Sequence, residues 1–233
     1  MTADTMYQIL LYAVAKNKQD GYVSPQDFYV IINSAQQSYT DYLLGEYQQY
    51  QLRRPISAVE IGQNERVRQS LAPLIYGTVL SITSTPGSNP YSGTSNFPSD
   101  YLYPDAMWSQ YGLYNIKFVQ QDRLASFNKS VIDPLATNPI YLINHEGFQF
   151  IPPNPNGDYH ARMSYVRTPP SIVWGYVLDS NGRQVYDASK SQQPVWSDTD
   201  CLQIIVRALA LVGVNLQSPM VSQYANEVKM RGQ

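Results

Sequence analysis

Residues 16–28 read KNKQDGYVSPQDF, a run whose oxygen-bearing side chains suggest a calcium loop. Such a loop supplies ligands from positions 1, 3, 5, 7, 9 and 12 and needs glycine at position 6. With Gly21 at position 6, Lys16 falls at position 1 and Lys18 at position 3. Two ammonium groups then stand where two oxygen ligands belong, and only Asp20, Ser24 and the short Asp27 remain as side-chain donors. The same residues make good helix punctuation. Gly21 suits the positive φ that ends a helix. Ser24 is a strong N-cap, Pro25 fits the first helical position, and Asp27 favours the positive helix end. The stretch is therefore read as the joint of a helical hairpin, with no metal.

The other candidates for chemistry are few. The two histidines, His145 and His160, lack a second His or Cys at a metal-ligand spacing. Cys201 opens an apolar helix, but Asp198 and Asp200 beside it raise its pKa, so it reads as a small buried hydrophobe. Asp198 and Asp200 form a DxD pair that helix capping explains. Glu60, Glu65, Glu146 and Asp158 are scattered over different elements. No phosphate loop, nucleophile elbow or zinc helix is present in the sequence. The expectation is a protein that is not an enzyme, with no catalytic residue and no cofactor. Arg162, Arg167 and Arg183 with Tyr165 and Trp174 make a basic-aromatic strip. It would suit a single strand or a sugar, or simply Arg stems packed on rings.

The elements that carry these residues divide by periodicity. Residues 5–16 place Met6, Leu10, Ala13 and Val14 on one helical face. From Pro25 to about Tyr50, Phe28, Ile31, Ile32, Ala35, Tyr39, Tyr42, Leu43 and Tyr47 follow helical spacing. The opposite face is Gln, Asn, Ser and Thr, which costs less to bury against a neighbour than a charged face. Residues 58–72 hold a weak helical signal, and Tyr76–Thr83 reads as a strand. Residues 84–105, STPGSNPYSGTSNFPSDYLYPD, read as a long loop. Its Tyr91, Phe97, Tyr101 and Tyr103 favour ordering on a neighbouring molecule.

Beyond that loop, Tyr111–Val119 is predicted as a strand and Gln121–Ser130 as a short helix. Ile140–Ile143 and Phe148–Ile151 flank Asn-His-Glu-Gly as a hairpin with a four-residue turn. Tyr159–Thr168 alternates. Ile172–Leu178 and Arg183–Tyr186 flank Asp-Ser-Asn-Gly as a second hairpin. Trp196–Asp200 caps a helix with Leu202, Ile205, Val206, Leu209 and Val212 on its apolar face, and Gly213 is a plausible stop. Ser218-Pro219 would start a last helix.

The predicted fold class is α+β, with an N-terminal helical hairpin, a small antiparallel β module and a C-terminal helical hairpin. The segments are a helical part at 1–75, an irregular middle at 76–135, the β module at 136–190 and the C-terminal helices at 191–233. The last segment is expected to form one compact domain with the first.

Composition narrows the function classes. The chain has 233 residues and a formal net charge of −2, which gives no electrostatic footprint for sequence-independent nucleic-acid binding. Charged residues make up 15% where about 25% is usual. There are 20 tyrosines, and Gln is about as frequent. Interfaces are enriched in Tyr and depleted in Lys and Glu, so a subunit of an assembly is one reading and a Tyr-rich fold the other. The single cysteine excludes an internal disulfide. Met1–Asp4 lacks the basic region of a secretory signal, and no apolar run has the length of a membrane span. Synthesis in a cytoplasm without membrane association is expected.

Two stretches together carry a resemblance. One is YQILLYAVAKNKQDGYVSPQDFYVIINSAQQSYTDYLLGEY. The other runs from FNKSVIDPLATNPIYLI through ARMSYVRTPPSIVWGY to PVWSDTDCLQIIVRALALVGVNLQSP. The combination resembles virion structural proteins of tailed phages infecting Bacteroides-type bacteria, especially crAss-like phages. Within these it is most similar to the ring, or head-to-tail adaptor, proteins stacked below the portal. The 84–105 loop lies outside the likeness, and SYVRTPP at 164–170 is its best marker.

The resemblance implies a virion protein at the head–tail interface. It implies a homo-oligomeric ring, twelve-fold to match the portal, with the portal protein and other ring or tail proteins as neighbours. Double-stranded DNA would pass through its channel without sequence-specific contacts. The residues expected at interfaces are Tyr39, Tyr42, Tyr47, Tyr91, Phe97, Tyr101, Tyr103, Tyr165, Arg167 and Trp174. The alternative is a capsid or tail decoration or adhesin whose β module binds carbohydrate through Trp174, Tyr165 and Tyr176.

Overall fold

The computed structural model describes residues 1–17, 22–51, 58–83, 92–112, 114–124, 138–152 and 160–215, with the side chains of 16–17, 46–51, 58–64 and 214–215 excepted. The fold is α+β, with four α-helices among the described residues and several small sheets. The chain divides into two compact units, Leu74–Thr168 and the combined flanks Met1–Pro73 with Pro169–Gln233. The sequence reading instead put its boundaries at 75/76 and 190/191, and it separated the irregular middle from the β module.

The flanking unit is helical. Helix α1 is Ala3–Asn17, α2 is Pro25–Gln51, α3 is Ala58–Leu71 and α4 is Asp198–Asn215. Three of them start on a hydroxyl cap. Thr2 Oγ1 accepts from the Thr5 amide at 3.1 Å, Ser24 Oγ from Asp27 at 3.1 Å and Ser197 Oγ from Asp200 at 3.3 Å. At α2 the box is reciprocal, because the Ser24 amide and hydroxyl both donate to Asp27 Oδ2. Asp27 is thus a capping residue, whereas Lys18–Gly21 lie outside the described residues.

The apolar stripes pack as their periods require. Met6, Leu10 and Val14 of α1 are buried, as are Phe28, Ile32, Ala35, Tyr39 and Leu43 of α2. Helices α1 and α2 both pack on α4, and α2 packs on α3. Helix α4 runs through Gly213, the expected stop, to Asn215. A glycine in a helix interior lowers helix stability without forbidding it. The predicted helix from Ser218 lies outside the described residues.

This unit also holds a two-stranded ribbon, β8 (Tyr176–Leu178) and β9 (Gln184–Tyr186). Asp179 Oδ1 accepts from the Asn181 and Arg183 amides at 2.8 and 2.9 Å, and Gly182 takes φ of 74°. That is the Asx-type turn the sequence foretold. The ribbon had been assigned to the β module, but it belongs to the helical unit.

Two sheets build the other unit. One has strand order β1–β7–β3, all antiparallel, with β1 at Ile75–Ser81, β7 at His160–Arg167 and β3 at Tyr101–Ser109. The second has order β2–β6–β5–β4, with β2 at Gly93–Ser95, β6 at Gly147–Ile151, β5 at Ile140–Asn144 and β4 at Lys117–Phe118. Its β4–β5 pair is parallel. Leu80, Met107, Met163 and Tyr165 from the first sheet and Tyr141, Phe148 and Phe150 from the second form one core. Val119, Ile140, Leu142 and Ile151 form a smaller one.

Several expectations need correction here. The 84–105 stretch is not one loop, because 93–95 and 101–105 are strand residues. Pro104 sits in β3, which is an edge strand and so tolerates the missing amide. The strand predicted over Tyr111–Val119 shrinks to Lys117–Phe118, since residues 110–112 form a turn with Gly112 at φ of 71°. Gln121–Arg123 form a single 3₁₀ turn, and 125–130 lie outside the described residues.

The first hairpin turns on two residues rather than four, because Asn144 pairs with Gly147. Gly147 takes φ of 149°, and a Cβ there would lie 2.1 Å from the Ser95 carbonyl oxygen. The glycine permits both the turn and the close approach of β2.

Candidate interaction surface

The residues named for interfaces fall into two groups. In the helical unit, Tyr39 is buried, and its hydroxyl donates to Asp200 Oδ1 at 2.6 Å. Burial first, and then Asp200, push its pKa well above the ordinary tyrosine value. Its ring meets Trp196 edge-on at 5.3 Å. The Arg207 guanidinium lies over Tyr39 at 4.8 Å and over the half-buried Tyr42 at 5.0 Å. Trp174 is buried too. Its Nε1 donates to Asp4 at 2.9 Å, and Tyr7, Tyr176 and Tyr186 lie at ring-centre distances of 4.6, 5.8 and 6.0 Å.

These side chains are committed within their own unit, so Tyr39 and Trp174 are corrected from interface to core. Their helical and strand periods mark burial, and periodicity does not say which chain does the burying. Tyr47 has no described side chain, and Tyr91 lies outside the described residues.

In the β unit, Tyr165 is likewise a core residue. Its hydroxyl donates to Asp100 Oδ1 at 2.8 Å, and its pKa is pushed up to about 12, mainly by burial. Phe97 stacks on Tyr101 at 4.8 Å, and both meet Phe148 edge-on. The aromatics expected to order on a neighbour therefore order on their own sheet. Tyr103 is half-buried. Arg167 lies over the Tyr76 ring at 4.2 Å, and its Nε is buried with no hydrogen-bond partner among the described residues.

The arrangement does not favour sugar binding. A sugar platform needs an open ring face, and Trp174 and Tyr165 offer none. The Arg strip is also divided, since Arg183 belongs to the helical unit and Arg162 and Arg167 to the β unit.

Reactive groups fare similarly. Cys201 is fully buried, and burial pushes its thiol up to about 11. His145 and Glu146 stand 3.7 Å apart at an exposed hairpin tip. Among the described residues, no group of three or more His, Cys, Asp or Glu is placed to hold a metal. No described helix is long and apolar enough to cross a membrane.

The open surface lies elsewhere. In the helical unit Tyr12, Tyr22 and Leu178 are 72%, 66% and 64% exposed, with Val177 and Val185 beside them on the ribbon. A groove of about 480 Å³ runs past Tyr7, Leu11, Tyr22, Trp174, Arg183 and Gln184. In the β unit Tyr76, Val79, Tyr111 and Phe118 are exposed. A cleft of about 470 Å³ between Thr78–Ser81 and Thr94–Pro98 has hydroxyl and apolar walls without a charge.

Sequence reasoning missed these positions. The available signal was alternation. Val177 and Val185 face each other across the ribbon, on the opposite face from the Tyr176–Tyr186 pair. No family model matches the chain, and no curated protein matches it in sequence.

Proposed function

We propose that this protein is a structural subunit of a tailed-phage head-to-tail connector. It would form a ring below the portal that joins capsid to tail and lines the DNA channel. The sequence resemblance motivates this reading. The observation that carries it furthest is exposed apolar surface on both units of a charge-poor chain, from Tyr12 and Leu178 in one to Val79 and Phe118 in the other. A ring subunit needs different patches on its two flanks, because a heterologous contact closes into a ring by rotation.

In this reading the helical segments serve as N-terminal and C-terminal hairpins, and the β module contacts neighbouring rings. The portal and other tail proteins lie above and below. Double-stranded DNA passes through without sequence-specific binding, and a mildly acidic chain does not hold it back. The protein resides in the virion and works by assembly, with no reaction and no cofactor.

Electron microscopy of the purified protein and of the virion neck tests this. Rotationally symmetric rings of twelve subunits, and density for the chain between portal and tail, are expected. A protein that stays monomeric and is missing from virions would refute it.

A further inference from the structure

The two edges of the three-stranded sheet are treated differently. Edge strand β3 is guarded, with Pro104 and Asp105 inside it and register shifts at Tyr101/Tyr103 and Pro104/Ala106. Proline, charge and bulges are the devices that stop a sheet from adding a further strand. Edge strand β1 has none of them. Its sequence IYGTVLS lacks charge and proline, its pairing to β7 runs unbroken over seven residues, and Val79 is 52% exposed. Its outer side faces the uncharged cleft with Thr94–Pro98 opposite.

A second unguarded edge lies on the other unit. The ribbon strands YVL and QVY carry no charge, pair only with each other among the described residues, and expose Val177, Leu178 and Val185. A lone two-stranded ribbon is marginal in water and gains by pairing.

We infer that the free edge of β1 receives a strand of the β8–β9 ribbon from a second copy of this chain. Backbone hydrogen bonds would supply the attachment, and the exposed aliphatic side chains would select it. The two edges are different surfaces, so the contact is head-to-tail and repeats from copy to copy. The inference rests on the connector reading only for closure into a ring. The strand exchange itself requires only self-assembly.

Two variants test it. Val79→Glu charges the β1 edge, where Arg162 directly across on β7 can accept the new carboxylate without loss of fold. Val185→Glu charges the ribbon. Mass is measured by light scattering for each, with far-UV circular dichroism confirming the fold. Should either variant lose its native spectrum, Val79→Lys and Leu178→Glu take their places.

Wild type is expected as a multimer, and each variant alone at the 26.4 kDa of one chain. An equal mixture of the two variants is expected at twice that mass and no higher. In such a mixture only one intact ribbon can meet one intact edge. Variants that assemble as well as wild type would overturn the strand contact while leaving the connector reading standing. Variants that fail to complement each other would also overturn it. A wild type that is itself monomeric would overturn both.

Discussion

Asp200 shows how a residue chosen for capping becomes the anchor of a core. It stands at the third position of α4, accepts from Ser197 Oγ at 2.6 Å, and takes a second hydrogen bond from Tyr39 of α2. Only 5% of it is exposed, so both donors hold a carboxylate that would otherwise be costly to bury. Arg207 is the cation of this region, yet it rests on the faces of Tyr39 and Tyr42 and gives Nη1 to the Gln203 carbonyl at 3.3 Å. Burial lowers its pKa. Replacing Tyr39 by Phe keeps the ring under Arg207 and removes only the donor to Asp200. The expected loss is about 1–3 kcal/mol in urea unfolding, the cost of an acceptor left short of a partner. In an Asp200→Ala background the same substitution should cost much less. An equal cost in both backgrounds would mean that the hydroxyl matters for another reason.

At the level of elements, the long helix α2 depends on its first turn. Ser24 and Asp27 satisfy each other's backbone and side chain, and Pro25 begins the helix without needing an amide partner. Ser24→Ala should cost about 1 kcal/mol, read as a lower urea midpoint, and added calcium should restore none of it. This cap, like the Asp179–Gly182 turn, was legible in the sequence because it is local chemistry at fixed spacing. Helix positions and the two hairpins were readable for the same reason. Strand β3 was not, since Pro104 and the flanking Pro, Ser and Asn argue for a loop, and only its place at a sheet edge admits them. The candidate surface was less legible still. Tyr39, Tyr165 and Trp174 carry the pattern of residues that become buried, and nothing local distinguishes burial inside the unit from burial under a neighbour. The exposed β1 edge and the ribbon emerge only once strand order is known, and strand order is non-local.

For the whole molecule, the many tyrosines set a limit on stability at high pH. Tyr141 and Tyr165 in the β unit are pushed up to about 12 by burial, and burial also raises Tyr101 there and Tyr7 and Tyr39 in the helical unit. An unfolded tyrosine ionises near 10. Below that pH the hydroxyls are neutral in both states, and the stability associated with their burial is fully present. As pH rises from about 10 toward 12, the unfolded chain loses these protons while the folded chain keeps them, so stability falls. Each such tyrosine steepens the fall by about 1.4 kcal/mol per pH unit. Cys201 adds to it with the same sign, because its thiol is held at about 11 against an ordinary 9. The urea midpoint should therefore show no tyrosine-linked change between about pH 7 and 9 and decline steeply above about pH 10. Tyr141→Phe lowers stability near neutrality less than it flattens the alkaline limb, since the phenyl ring still packs on Phe148 and Phe150 while the titrating hydroxyl is gone. A midpoint that holds level to about pH 11 would mean that these hydroxyls ionise in place, within a fold loose enough to hydrate them.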